Sequence, residues 1–278
     1  MKVSKIGFPG LGIGPFKIDS VAFTVFGIEI AWYAVIITFG MIMAVAYCSY
    51  RAKQIGLTVD DVIDFALAAI PIGVIGARLY YILTKLEDFD TFRDWIAIRD
   101  GGLAIYGGII AGTLAVYVMT KIKKIKFLAF ADCTMPGIIL AQAIGRWGNF
   151  CNGEAFGYET DIFCRMSLNN SSTLFQTLMV HPCFLYESLW NILGFILINI
   201  FYKKRKYDGQ VFIAVCGWYG LGRAWIEGLR TDSLYLPEIF GLSLRVSQVL
   251  AIAVAALCVG LLIYHAVKKT NKPLYIKT

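Results

Sequence analysis

Apolar residues run in long blocks along this chain, and short polar clusters separate them. A helix needs about 20 mostly apolar residues to cross the hydrocarbon core of a bilayer. Blocks of that kind predict spans near 25–49, 62–84, 103–120, 127–149, 183–202, 209–228 and 247–267. The expected fold class is an all-α integral membrane protein with seven transmembrane helices. Two connections, 85–102 and 150–182, are long enough to form small structured elements outside the spans. The rest leaves no room for a separate soluble domain, so residues 1–278 read as a single polytopic membrane domain. Composition agrees, with 58% hydrophobic and only 16% charged residues, where a soluble domain carries about a quarter charged.

The charges set a direction. Segments after spans 1, 3 and 5 and the C-terminal tail hold 14 Lys and Arg, among them KIKKIK (121–126) and KKRK (203–206). The N-terminal segment and those after spans 2, 4 and 6 hold 9. Basic residues mark the cytoplasmic side, so the N-terminus is expected outside and the C-terminus in the cytoplasm. The net charge of +7 therefore reports topology rather than a nucleic-acid-binding face. The N-terminus has no early apolar stretch followed by a small-residue cleavage site, and no cleaved signal peptide is expected. Seven cysteines occur without a CxxC, which excludes a zinc ribbon or redox motif. Of these, Cys151, Cys164 and Cys183 share the outer side in this topology. Free thiols are the simpler expectation there, and a disulfide between two of them is the alternative.

Three arginines fall within or at the ends of spans: Arg78 in GARLYY, Arg146 in GRWGNF and Arg223 in GRAWIE. An arginine at mid-bilayer costs about 2.5–3.5 kcal/mol on insertion scales, so it normally has a partner or a task. All three close spans that run outward, so they reach a similar depth in the outer leaflet. Other polar residues join that layer. Glu29 and Tyr33 open span 1, Gly101 to Gly108 with Tyr106 open span 3, and His181, Tyr186 and Glu187 open span 5. Tyr219 and Glu227 share the face of Arg223, four residues away on either side. Asp64 and Asp132 lie near the inner ends of spans 2 and 4 and read as structural carboxylates.

Arginines at helix ends can simply snorkel to head groups. Snorkelling does not call for glutamates, paired asparagines and repeated glycines at one depth. The set reads better as an outward-facing polar cavity. Guanidiniums and glycine-exposed amides suit a phosphate, and at head-group depth that phosphate belongs most simply to a phospholipid. Metal chemistry fits poorly, with two histidines in the chain and no HExxH. Serine chemistry lacks a GxSxG. What remains is cofactor-free transfer from a lipid, with arginines stabilising a phosphate leaving group.

Residues 145–157, GRWGNFCNGEAFG, resemble the pattern G-R-x-G-N-F-x-N-x-E-x-x-G of the prolipoprotein diacylglyceryl transferase family, at all eight fixed positions. AWY (31–33), GARLYY (76–81), RDGGLAIYGG (99–108), HPCFLYE (181–187) and YGLGRAWIEGLR (219–230) agree in order and spacing. The resemblance implies a bacterial cytoplasmic-membrane enzyme with its site toward the outer leaflet. Its substrates would be phosphatidylglycerol and the lipobox cysteine of an exported prolipoprotein, with no metal or cofactor and no nucleic acid. It further implies Tyr106, Arg146, Glu154, Arg223 and Glu227 as catalytic residues. Tyr33, Arg78, Gly102, Gly107, Asn149, Asn152, His181, Glu187 and Tyr219, with Arg146, would bind substrate.

Structural roles stand beside these. Asn149 and Asn152 can cap span 4, Glu227 can neutralise Arg223, and Glu187 can hold helices together. Many members of the family carry His, a favoured general base, where this chain has Tyr106. A neutral tyrosine is a poor base, so Tyr106 is expected to position the thiol while arginines favour the thiolate. His181, before Pro182 at a helix start, is expected to be structural rather than a base. Two other classes compete. A lipid transporter or flippase needs a path across the bilayer, whose inner half offers little beyond Asp64 and Asp132. A structural assembly subunit needs no buried Arg/Glu constellation.

Overall fold

The computed structural model describes residues 3–89, 91, 95, 101–233, 235 and 244–277. Seven helices carry the described chain: α1 (Trp32–Ala52), α2 (Val59–Thr84), α3 (Ile105–Ile122), α4 (Phe127–Asn152), α5 (Cys183–Tyr202), α6 (Gln210–Ile226) and α7 (Val246–Val267). Each answers to one apolar block in the sequence. Six of them, all but α6, are long and apolar enough to cross a membrane. Large apolar side chains stand exposed along them, such as Leu67, Ile110 and Leu257, as helices that face lipid rather than water require.

The all-α expectation covers the helices and misses six strands. A four-stranded antiparallel sheet has the order β2-β1-β5-β6, from β1 (Val3–Phe8), β2 (Ile13–Asp19), β5 (Met166–Asn169) and β6 (Leu178–Val180). Ile6, Met166, Leu168 and Val180 turn inward and pack with Phe184 of α5. A second hairpin pairs β3 (Val21–Val25) with β4 (Ile28–Ala31). Its turn residues Phe26 and Gly27 both have positive φ, as the favoured two-residue hairpin turn requires. The first helix therefore starts at Trp32 and not at 25, and Glu29 lies in β4 rather than opening a span. Much of the predicted 85–102 element, residues 90, 92–94 and 96–100, lies outside the described residues.

The chain divides into two compact units, Met1–Ala46 with Thr134–Pro273, and Tyr47–Cys133 with Leu274–Thr278. In the first unit, α5 and α6 are clasped by two tryptophans. The rings of Trp190 and Trp218 stack at 4.4 Å, and each indole N–H donates to the other's backbone carbonyl at 3.0 Å. Gly194 and Gly222 make room: a Cβ on either would lie 2.2–2.3 Å from the opposing indole. In the second unit, α2 and α3 approach at Gly76 and Gly107, where a Cβ on Gly107 would meet the Gly76 carbonyl at 2.3 Å. Thr58 and Asp61 form a capping box at the start of α2. The tail closes on this unit through Lys277 N–H to the Ile55 carbonyl and the Tyr275 hydroxyl to the Lys124 carbonyl.

Candidate active site

α4, α5 and α6, with the turns that follow α4 and α6, bring half of the sequence-predicted residues into one hydrogen-bonded chain inside the first unit. At its centre is Glu187 on α5, buried and 5% exposed. Its carboxylate faces three guanidiniums: Arg146 of α4 through Nε, Arg223 of α6 at 3.1 Å and Arg230 at 3.5 Å. Arg223 also pairs with the buried Glu227 at 2.5 Å, one helical turn on. Arg230 holds Asp232 with two contacts, Nε at 2.9 Å and Nη2 at 2.7 Å. Burial works against the charge of Arg230, yet Asp232 overrides it and keeps the guanidinium more firmly protonated than usual. The same pairing holds Asp232 below the usual carboxylate range against its own partial burial.

Three arginines thus meet three carboxylates, and the cluster is close to neutral. Glu187 and Glu227 are buried, and either one isolated would cost several kcal/mol; paired and hydrogen-bonded, they are tolerated. The sharing is unequal. Arg223 and Arg230 each have a carboxylate of their own besides Glu187. Arg146 shares Glu187 alone, and its Nη1 reaches Asn149 Oδ1 only at 3.4 Å. Its Nη2 makes no hydrogen bond or ion pair among the described residues, which leaves part of one guanidinium edge open to an anion.

Glu154 extends the chain beyond Arg146. Its Oε1 accepts from the side-chain amides of Asn149 and Asn152, each at 3.1 Å. Helix α4 continues to Asn152, past the expected end at 149, so both asparagines sit in its last turn and fix Glu154. Tyr219 lines a small space with Glu187 and Arg223. Tyr33 packs at α4, where a Cβ on Gly148 would lie 2.7 Å from its ring.

His181 is a joint. Its backbone exchanges hydrogen bonds with Gly157 and Tyr158, and its Nδ1 lies 3.2 Å from the Tyr186 hydroxyl. Burial pushes its pKa below the usual value, which keeps the ring neutral at pH 7 and suits the structural role. All seven cysteines are free.

Sequence reasoning missed Arg230, Asp232 and Arg245. Arg245 donates to the Glu227 backbone carbonyl and, at 2.9 Å, to the Tyr158 hydroxyl. Tyr158 N–H in turn donates to the Leu229 carbonyl, so the chain leaving α4 is pinned to the chain leaving α6.

The remaining predicted residues lie in the second unit. Arg78 donates to the backbone carbonyls of Trp95, Gly101 and Gly102 at 2.7–3.1 Å. That is a clamp on the chain entering α3. Gly102 has φ +73, and a Cβ there would lie 2.5 Å from the Arg78 guanidinium. Gly107 serves helix packing, as described above. Tyr106 is half-buried in the first turn of α3.

Known proteins locate this arrangement. Residues 20–264 match the family model described as prolipoprotein diacylglyceryl transferase. A phosphatidylglycerol–prolipoprotein diacylglyceryl transferase of Clostridioides difficile is 43% identical over 255 residues, covering 91% of this chain and 97% of that protein. One from Enterococcus faecalis is 43% identical over 85% of this chain and 86% of its own length. One from Listeria innocua is 37% identical over 96% of both. With the match running through every helix that carries the arginine–glutamate cluster, this chain belongs to the prolipoprotein diacylglyceryl transferase family.

Proposed function

We propose that this protein transfers the diacylglyceryl group of phosphatidylglycerol to the lipobox cysteine of a prolipoprotein, the first step of lipoprotein maturation. The observation that carries the site assignment is the open guanidinium edge of Arg146 within a cluster whose other arginines are committed to carboxylates. A phosphodiester brings one negative charge to that edge. The cysteine sulfur, as thiolate, attacks the glyceryl carbon that bears the phosphate oxygen. The carbon–sulfur bond forms, the carbon–oxygen bond breaks, and its electron pair leaves with glycerol phosphate. Arg146 stabilises that developing charge in a site of low dielectric, and Glu187 holds the arginine in place. Asn149, Asn152 and Glu154 border the head group. Arg223 and Glu227, with Tyr219, support the wall from α6.

In the second unit, the family resemblance supports Tyr106 as a hydrogen-bonding partner of the incoming thiol, and Arg78 acts through the loop that it clamps. The Lys/Arg distribution supports seven spans, an exterior N-terminus and a site at the outer leaflet. In that orientation the chemistry lies on the side of exported signal peptides, which is consistent with a prolipoprotein acceptor. Family membership does not favour the flippase reading.

Purified protein mixed with phosphatidylglycerol and a lipobox peptide should add diacylglyceryl mass to the peptide cysteine. Lipid movement without that adduct would refute the assignment. Tyr106→Phe should lower transfer by about tenfold, the loss that follows removal of one positioning hydrogen bond. Full activity in this variant would remove the hydroxyl from the chemistry.

A further inference from the structure

An apolar groove of about 380 Å³ runs along the first unit between α1, α4 and α5. Val35 and Phe39 of α1, Ile144 and Trp147 of α4, and Ser188 and Ile192 of α5 form its walls. Phe39, Trp147 and Ile192 are 40–54% exposed, so the groove opens outward. Its polar groups are already spent on one another. The Trp147 indole donates to the Ser188 hydroxyl at 3.2 Å, and that hydroxyl donates to the Ala143 carbonyl at 2.9 Å. The wall has no hydrogen-bond donor left to offer a polar ligand.

Two of its residues place it. Trp147 follows Arg146 on α4, and Ser188 follows Glu187 on α5. The groove therefore begins on the helix faces next to the ion pair that presents the open guanidinium edge. From Leu140 to Trp147, both on the wall, α4 rises about 10 Å at 1.5 Å per residue.

We propose that this groove binds one acyl chain of the phospholipid donor while its phosphate meets Arg146. The proposal rests on the transferase reading and adds a second point of attachment for the same substrate. The occupant is a chain rather than a peptide helix, because a helix with its side chains is about 10–12 Å across and too wide for a groove of this volume. Lipid tails are as apolar as the wall, so moving a chain from the bilayer into the groove gains little hydrophobic energy. What it gains is shape: close packing on one side and a fixed direction. A donor held at both phosphate and chain presents its glyceryl carbon in one orientation, which lowers the entropy lost in the reaction step.

The test compares donors of different chain length. The full chain in mixed micelles is given a lipobox peptide and phosphatidylglycerol carrying either hexadecanoyl or hexanoyl chains, and the ratio of the two kcat/KM values is measured. Any loss of folded protein lowers both values and leaves the ratio alone. Ile192→Trp, which fills the groove from an exposed position, should lower the long-to-short ratio by about tenfold, as overpacking of a fitted site does. Phe39→Ala, which removes part of one wall, should also lower the ratio, by less than Ile192→Trp. Leu193→Trp, one residue further on α5 and outside the groove, should leave the ratio as in the native chain. An active native chain whose ratio is unmoved by Ile192→Trp and Phe39→Ala overturns the groove assignment alone. So does a rise in KM for the peptide without a change in the ratio, which would make the groove an acceptor site. A native chain that transfers nothing from either donor overturns the transferase reading and the groove with it.

Discussion

Two ion clusters, one in each unit, use similar groups to different ends. In the second unit, Lys123 bridges Asp61 at 2.8 Å and Asp64 at 2.7 Å, with Lys277 at 3.4 Å from Asp61. Lys123 is 21% and Asp64 51% exposed. Hydrogen bonds that Lys123 donates to both carboxylates raise its pKa, so it stays charged at any physiological pH. Lysine suits this place, as a mobile point charge on a flexible stem. The exposed Lys123–Asp64 pair contributes about 0–1 kcal/mol and weakens in salt, while Asp61 beside it is buried.

In the first unit, arginines surround a carboxylate that is 5% exposed. Planar guanidiniums can share that carboxylate at fixed angles where lysines would crowd it. A buried network of this kind is weak support for stability compared with apolar packing. What the network presents is one guanidinium with an uncommitted edge. Stability in the neighbourhood comes from elsewhere, notably the Trp190–Trp218 clasp.

Substitutions separate the two clusters in order of size. Glu187→Ala leaves three arginines with one fewer buried counter-charge and should destabilise by about 3–5 kcal/mol, read as a fall in the unfolding midpoint with loss of transfer. A stable, active Glu187→Ala would dissolve the distinction between the clusters. Trp190→Phe keeps an aromatic ring but removes the donor to the Trp218 carbonyl and should cost about 1–3 kcal/mol. Transfer should fall with it, because α5 and α6 carry Glu187 and Arg223. Asp64→Ala should change stability by less than about 1 kcal/mol, and high salt should erase the difference. A larger, salt-independent loss would show that the exposed cluster is not merely a surface feature.

The helices were legible because each is an apolar block of membrane length. The start of α1 was not, since VFGIEIA (25–31) continues the apolar run. Only the positive φ at Phe26 and Gly27 turns it into a hairpin. The larger sheet escaped notice because β1 and β5 lie far apart in sequence and each is short. Arg146, Arg223 and Glu187 stood out as charges in apolar surroundings. Arg230 did not, because in a loop it looked like one more topological charge. Folding buries it beside Glu187, a partner 43 positions away. The clasp did leave a trace: WNILG (190–194) and WYGLG (218–222) repeat Trp-x-x-x-Gly on neighbouring helices.

The central claim is that Arg146 recognises the donor phosphate through the geometry of its guanidinium and not through charge alone. Steady-state transfer by Arg146→Lys tests it most directly, because the charge stays and the planar fork goes. The expected result is a kcat/KM for phosphatidylglycerol lower by about 10²-fold, the loss that follows removal of one preorganised donor, with an unfolding midpoint close to that of the native chain. A lysine variant that transfers as well as the native chain would contradict the claim.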